Sequence, residues 1–261
     1  MLGQDKLFNS LMAYSMSDFP HSILLLGDKG CGKHTLVKEI ANTHDVSIVD
    51  ITNSISLETI TEISNRPIPT IYIIDCSLIT ERHQNIILKF LEEPSAYAYI
   101  FLLCTSKSML LPTIVNRCMI YEFEPYTREI LSQFLTDNNT HVLDVCTTPG
   151  QVLSIHSGDL EKLEELCVTI VTKIGRANYS NTLSIVKKIN LKDEFDKFDI
   201  NVFFNVLLET ILKLYINSTL NIKFTELYNL VADYKKRLGD TRLNKELLLE
   251  NFLTTVWEFM R

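Results

Sequence analysis

Residues 27 to 35 read GDKGCGKHT. Gly27, Gly30, Gly32 and Lys33 have the types and spacing of a phosphate-binding loop, in which backbone N–H groups ring an anion and the lysine ammonium adds a point charge. An apolar run, SILLL, precedes the loop and a helical pattern follows it, the context such chemistry needs. The nucleotide-binding set read from this stretch is Gly27, Asp28, Lys29, Gly30, Cys31, Gly32, Lys33, His34 and Thr35. His34 stands where a serine or threonine hydroxyl normally ligates magnesium, and an imidazole offers no oxygen to that hard ion. Thr35, one residue on, is expected to face another direction on the helix. A second acidic element closes the run IYIIDCS. Asp75 is placed to hold magnesium through water, and the next position, where many ATPases carry a glutamate that polarises the attacking water, is Cys76. Asp75 also reads as a strand-end residue capping the next turn.

These groups need a scaffold, and the first half of the chain alternates strand and helix patterns. SILLL (22–26), VSIVDI (46–51), TIYIID (70–75), YIFLLCT (99–105) and MIYEFE (119–124) are nearly continuous in apolar residues, as strands covered on both faces are. Between them, Leu36, Val37, Ile40 and Ala41 form one helical stripe, and Ile86, Ile87, Phe90 and Leu91 form another that Pro94 stops. The order βαβα predicts a parallel, doubly wound α/β sheet. After Pro125 the strand patterns give way to helical ones: TREILSQFL, PGQVLSIH, LEKLEELCVTIVTKI, INVFFNVLLETILKLYI, FTELYNLVADYKKRL and NKELLLENFLTTVWEFM. Polar stretches near Ser180 and around KDEFDKFD interrupt this half. Leu248, Phe252, Thr255 and Phe259 recur at helical spacing and read as a packing face.

Composition sets the outer limits. A chain of 261 residues, 46% of them hydrophobic and 22% charged, can bury a substantial core. Its apolar runs fall far short of the ~20 residues of a membrane helix, and no signal-peptide h-region opens it, so a cytoplasmic protein without membrane contact is expected. A net charge of -7 gives no global attraction to nucleic acid. Six cysteines without a C-x-x-C pair indicate buried thiols rather than a zinc site or a disulfide framework. His21, His44, His83, His141 and His156 have no partner at metal-ligand spacing, so no zinc or other structural metal is expected. Glu92 and Glu93, adjacent on a helix, face different sides and do not form an acid/base couple.

The run from Ile73 to Cys118, IIDCSLITERHQNIILKFLEEPSAYAYIFLLCTSKSMLLPTIVNRC, resembles the core of the clamp-loader AAA+ ATPases. Asn85 to Pro94, Thr105 and Leu110 to Cys118 match that family's N-A-L-L-K-x-L-E-E-P, sensor strand and L-L-P-T-I-x-S-R-C in order. LGQ at 2–4 and PHSILLLG at 20–27 resemble its start. Within the family the chain is most similar to the delta-prime branch of bacterial DNA polymerase III: TTPGQVLSI (147–155) resembles that branch's sensor-2 helix, with Gly150 where hydrolysing subunits carry an arginine. The resemblance implies an AAA+ phosphate-loop core over residues 1–124, a helical lid over 125–176 and an all-helical, ring-forming collar over 177–261. It implies Thr105 as the sensor-1 residue and Arg117 as an arginine finger serving a neighbour's phosphates in trans, against the plain reading of Arg117 as an ion-paired surface residue. It further implies ATP or ADP held weakly, with magnesium as the accompanying ion. Implied partners are a gamma/tau-like ATPase and a delta subunit, with the sliding clamp and primed DNA reached through the complex. Since His34, Cys76 and Gly150 replace three groups that stabilise phosphoryl transfer, the resemblance implies a subunit not competent as an ATPase alone. A hydrolysing AAA+ ATPase of a clamp loader or helicase loader is the alternative.

Overall fold

The computed structural model describes residues 2–15, 17–136, 138–176, 199–216, 224–238 and 245–259. The chain divides into two compact units, the first made of residues 1–130 with 148–150 and the second of 131–147 with 151–261. Residues 177–198, where the expected lid passes into the expected collar, lie outside the described residues, as do the polar breaks expected there apart from Asp199.

In the first unit, α1 (Asp5–Met12), β1 (Ser22–Leu26), α2 (Lys33–His44), β2 (Ser47–Asp50), α3 (Leu57–Asn65), β3 (Thr70–Asp75), α4 (Glu81–Glu92), β4 (Ala98–Cys104), α5 (Pro112–Val115) and β5 (Met119–Glu122) follow one another. The five strands form one sheet in the order β2-β3-β4-β1-β5, every pair parallel. Alternation of side chains along each strand divides the core in two. Ile23, Leu25, Ile71, Ile73, Phe101 and Leu103 point to the face that Leu7 and Leu11 of α1 and Leu36, Val37 and Ile40 of α2 cover. Leu24, Leu26, Tyr72, Ile74, Ile100 and Leu102 point to the other, against Ile60 and Ile63 of α3, Ile87 and Phe90 of α4 and Ile114 of α5. The three central strands are covered on both faces as expected. The outer two differ: β2 is exposed at Ser47 and Asp50 with Ile48 and Val49 partly buried, and β5 is exposed but for a partly buried Tyr121, since an edge strand has a neighbour on one side only.

Helix α3 has no counterpart in the periodicity reading. Its β-branched sequence, LETITEISN, reads as neither helix nor strand, and Ser56 starts it by accepting a hydrogen bond from the Thr59 N–H. In the second unit the longer helices are Ser157–Arg176, Ile200–Ile216, Phe224–Leu238 and Lys245–Phe259. Leu160, Leu163, Cys167, Ile170 and Val171 form a buried stripe on the first of these. Phe204 and Phe252 meet with ring centroids 5.0 Å apart, and Tyr234 meets Phe252 at 5.1 Å. Buried Gln151 accepts from the Thr147 N–H at 2.9 Å and donates to Asp199 at 3.2 Å, while Asp199 accepts from the Asn201 N–H at the start of Ile200–Ile216. Among the described residues no helix is long and apolar enough to cross a membrane.

Candidate functional site

A parallel sheet leaves its crevice at the carboxyl ends of its strands, and here β1, β3 and β4 end side by side. The cleft above them, about 380 Å³, is bordered by Lys29, Gly30, Gly32, Lys33, His34, Thr35, Asp75, Ser77, Leu103, Cys104, Thr105 and Gly150. The loop, Asp75 and Thr105, which lie far apart in the chain, therefore meet at one place. Gly30 and Gly32 take φ of 82° and 101°, left-handed conformations that glycine alone adopts freely, and Gly32 is the residue from which α2 starts. Loop residues and the N-terminus of a twelve-residue helix thus border the cleft together, an arrangement suited to phosphate, while the Gly27 N–H donates to Cys104 O at 3.1 Å and the Cys31 N–H to Asp28 O at 3.2 Å. Lys33 Nζ donates to the loop carbonyls of Gly27 and, at 2.9 Å, Asp28.

His34 and Thr35, from successive positions on α2, both border this cleft. In the first helical turn, at the mouth of the loop, two successive side chains can flank the same opening. Asp75 also sits at the cleft, with one carboxylate oxygen accepting from the Ser77 N–H at 2.9 Å and the Ser77 hydroxyl at 2.7 Å. Its own N–H donates to Thr52 Oγ1 at 2.9 Å, so the strand end is pinned from both sides. Thr105, at the end of β4, donates from its hydroxyl to Met109 Sδ at 3.1 Å.

Cys76 is only 2% exposed and belongs to the apolar cluster under the sheet rather than to the cleft wall. The β3–β4 register brings it beside Cys104. A hydrogen bond to Cys104 and burial push the Cys76 thiol well above its ordinary range, whereas the same bond pulls Cys104 down. All six cysteines are free thiols, five buried and Cys118 partly exposed. No group of three or more metal-ligating side chains clusters among the described residues.

Arg117 follows α5 at the surface. Its guanidinium donates to Thr113 O at 2.9 Å and to Glu92 Oε1 at 2.8 Å, so one carboxylate of the Glu92–Glu93 pair serves the arginine. Several structural polar residues escaped sequence reading. Gln84 is buried on the apolar face of α4, donating to Met109 O at 3.0 Å and accepting from the Leu111 N–H at 2.8 Å, which ties the segment leading to Arg117 onto that helix. Gln4 donates to Glu124 O at 2.7 Å and accepts from the Glu124 N–H at 3.0 Å, joining the chain start to the end of β5. The signal for Gln84 was present: a glutamine three residues before Ile87 on an otherwise apolar stripe. Tyr126, whose hydroxyl donates to Cys31 O at 2.6 Å, carried no such signal. Burial, followed by the nearby Cys31, pushes its phenol up to about 12 and keeps it a neutral donor.

The chain is similar to several known proteins. The family described as DNA polymerase III, delta subunit matches residues 44–127, the stretch holding β2 to β5 with Asp75, Thr105 and Arg117. The DNA polymerase III subunit delta' of Escherichia coli is 24% identical over 206 residues, 70% of this chain and 60% of that protein. The chain is similar to clamp-loader AAA+ proteins. This clamp-loader-like chain is also 23% identical over 258 residues to the replication factor C small subunit of Methanococcus maripaludis, covering 90% of itself and 76% of that subunit. Its fold matches a solved structure of a Thermotoga maritima RuvB mutant with a TM-score of 0.51 at 19% identity, over 98% of this chain and 89% of that one. It spans about 60% of the length of the E. coli delta' subunit.

Proposed function

We propose that the chain is a largely non-hydrolysing subunit of a clamp loader, of the delta-prime kind, acting within a DNA polymerase III holoenzyme. It contributes Arg117 in trans to the phosphates of a neighbouring gamma/tau-like ATPase, and its C-terminal helices to a ring-forming collar. With a delta subunit, that ring would load a sliding clamp onto primed DNA. The observation that carries the reading is the cleft, which brings the loop, the N-terminus of α2 and Asp75 together, with His34 beside Lys33 and Cys76 buried below. Loop N–H groups, the helix N-terminus and Lys33 suit the phosphates of ATP or ADP. Magnesium suits the residues present less well: the position next to Lys33 offers imidazole nitrogen in place of a hydroxyl oxygen, and Asp75 already accepts two hydrogen bonds. Cys76 lies in the core and offers no base for an attacking water. A nucleotide when bound would supply a phosphate anhydride; the chain's own residues would hold it, and none is placed to activate water against it.

Arg117 suits the trans role because it is exposed and its surface ion pair with Glu92 costs little to exchange for another anion. Reconstitution tests the reading. The chain, purified alone and with gamma/tau-like and delta subunits, should enter a complex, bind ADP with little magnesium dependence, and show negligible turnover by itself. Magnesium-dependent turnover by the isolated chain near ~1 per second, ordinary for an enzyme, would favour the alternative of a hydrolysing AAA+ ATPase of a clamp loader or helicase loader. One observation speaks for that alternative: Thr35 borders the cleft and has the hydroxyl that His34 lacks.

A further inference from the structure

The carbonyls of the phosphate loop are the reverse side of its N–H groups, and each has a partner. Gly27 O and Asp28 O accept from Lys33 Nζ, and Asp28 O also from the loop's own Cys31 N–H at 3.2 Å, which leaves the N–H groups of residues 28–30, 32 and 33 for an anion. Lys29 O accepts from the Thr148 hydroxyl at 3.0 Å, Gly30 O from the Gly150 N–H at 3.0 Å and Cys31 O from the Tyr126 hydroxyl at 2.6 Å. Gly32 O accepts from the Leu36 N–H at 2.9 Å as the first bond of α2. The three central bonds come from residues about a hundred positions away in sequence, two of them on the strip Thr148–Gly150, which groups with the first unit. That strip lies against the loop backbone: a Cβ built on Gly150 would stand 2.7 Å from Gly30 Cα and 3.0 Å from Gly30 O.

We propose that Tyr126, Thr148 and Gly150 are positioning residues that brace the phosphate loop from its carbonyl edge, so that its N–H groups stay aimed at a phosphate without help from magnesium or from a bound nucleotide. Such a loop meets its anion already ordered, which removes part of the entropic cost of binding. Glycine at 150 follows from the same contact, since any side chain there would have to displace the Gly30 backbone; the residue that denies the site a cation is the one that lets the strip approach.

This inference deepens the nucleotide-binding part of the proposed function, and its test separates the two. Hydrogen exchange of the full-length free protein, followed over residues 27–33, is compared for wild type, Tyr126→Phe, Thr148→Val, Thr148→Ser and Gly150→Ala, alongside thermal midpoints. Loss of one brace bond should speed loop exchange on the order of fivefold while the global midpoint holds, and Thr148→Ser, which keeps the hydroxyl, should exchange as wild type does. ADP titrated in EDTA should bind the Tyr126→Phe, Thr148→Val and Gly150→Ala variants several-fold more weakly than wild type. Unchanged loop exchange in those three variants overturns the brace. So does faster exchange with undiminished ADP affinity. If wild type binds no ADP while the variants still exchange faster, the brace stands and the nucleotide reading falls. Should Gly150→Ala fail to fold, the two hydroxyl deletions decide the matter, as each removes a single oxygen or replaces it with a methyl group.

Discussion

On the proposed reading of the cleft as a nucleotide site, position 34 sets which cation accompanies the phosphate. With imidazole there, ADP affinity should be the same in EDTA and in millimolar magnesium; His34→Thr, which returns an oxygen ligand, should make affinity rise about tenfold on adding magnesium, checked by calorimetric titration. Position 76 behaves differently. Cys76 is buried beside Cys104 in the apolar cluster, so Cys76→Glu places a carboxylate where it has no water. We expect that variant to lose several kcal/mol of stability in a guanidinium melt, and restoring the missing glutamate therefore requires repacking around residue 104. Arg117 is the opposite case. Its ion pair is exposed and worth about 0–1 kcal/mol, so Arg117→Ala should fold and assemble normally. If it is a trans finger, DNA-stimulated hydrolysis by the reconstituted complex should fall, by up to ~10³ judged from GTPase fingers; Arg117→Lys should restore little, as it keeps charge but loses the planar fork. Wild-type hydrolysis by the Arg117→Ala complex would return the residue to a surface ion pair.

At the scale of elements, polar side chains inside apolar faces join pieces that hydrophobic patterns alone leave adjustable. Gln84 satisfies a carbonyl and an N–H on the irregular stretch between β4 and α5, and its replacement by leucine would leave both part-buried groups without this partner. We expect Gln84→Leu to cost about 2–4 kcal/mol and to raise hydrogen exchange over residues 109–117 before the rest of the unit. Gln151 has the same role between Thr147 and Asp199 in the second unit. The outer strands show the limits of pattern reading. An apolar run such as MIYEFE reads as a buried strand, yet position at the sheet edge leaves Met119 and Ile120 exposed, because burial is decided by neighbours that no local window contains.

Across the whole molecule, stability should depend on alkaline pH through its thiols. Burial pushes Cys146 and Cys167 up to about 12 from an ordinary value of 9.0, so in the folded state they hold protons that the unfolded chain releases. A raised folded pKa contributes stability that is complete below the unfolded value and lost as pH rises through the folded one. Stability should therefore fall between about pH 9 and 12, by up to about 1.4 kcal/mol per pH unit for each thiol. Guanidinium midpoints measured at pH 8, 9 and 10 check this, and Cys167→Val should flatten the decline. A slope unchanged by that substitution would assign the loss to other groups, Cys118 first, whose thiol burial also raises to about 12 from 9.0.

The strand–loop–helix order, the two amphipathic stripes of α2 and α4, the phosphate loop and Asp75 were all legible in the sequence, because each depends on residues close together in the chain: a period of two or 3.6, or glycines set around a lysine. The order β2-β3-β4-β1-β5 was not, since strand pairing is a long-range choice that leaves no local mark. Helix α3 is a nearer case, since its serine cap and its isoleucines three residues apart are local signals, masked by the β-branched residues among them. The meeting of Tyr126, Thr148 and Gly150 with the loop carbonyls lies furthest from the sequence. Backbone carbonyls carry no residue identity, and a hydrogen bond spanning about a hundred residues exists only once the sheet has brought its ends together; tertiary structure alone decided how the phosphate loop is held.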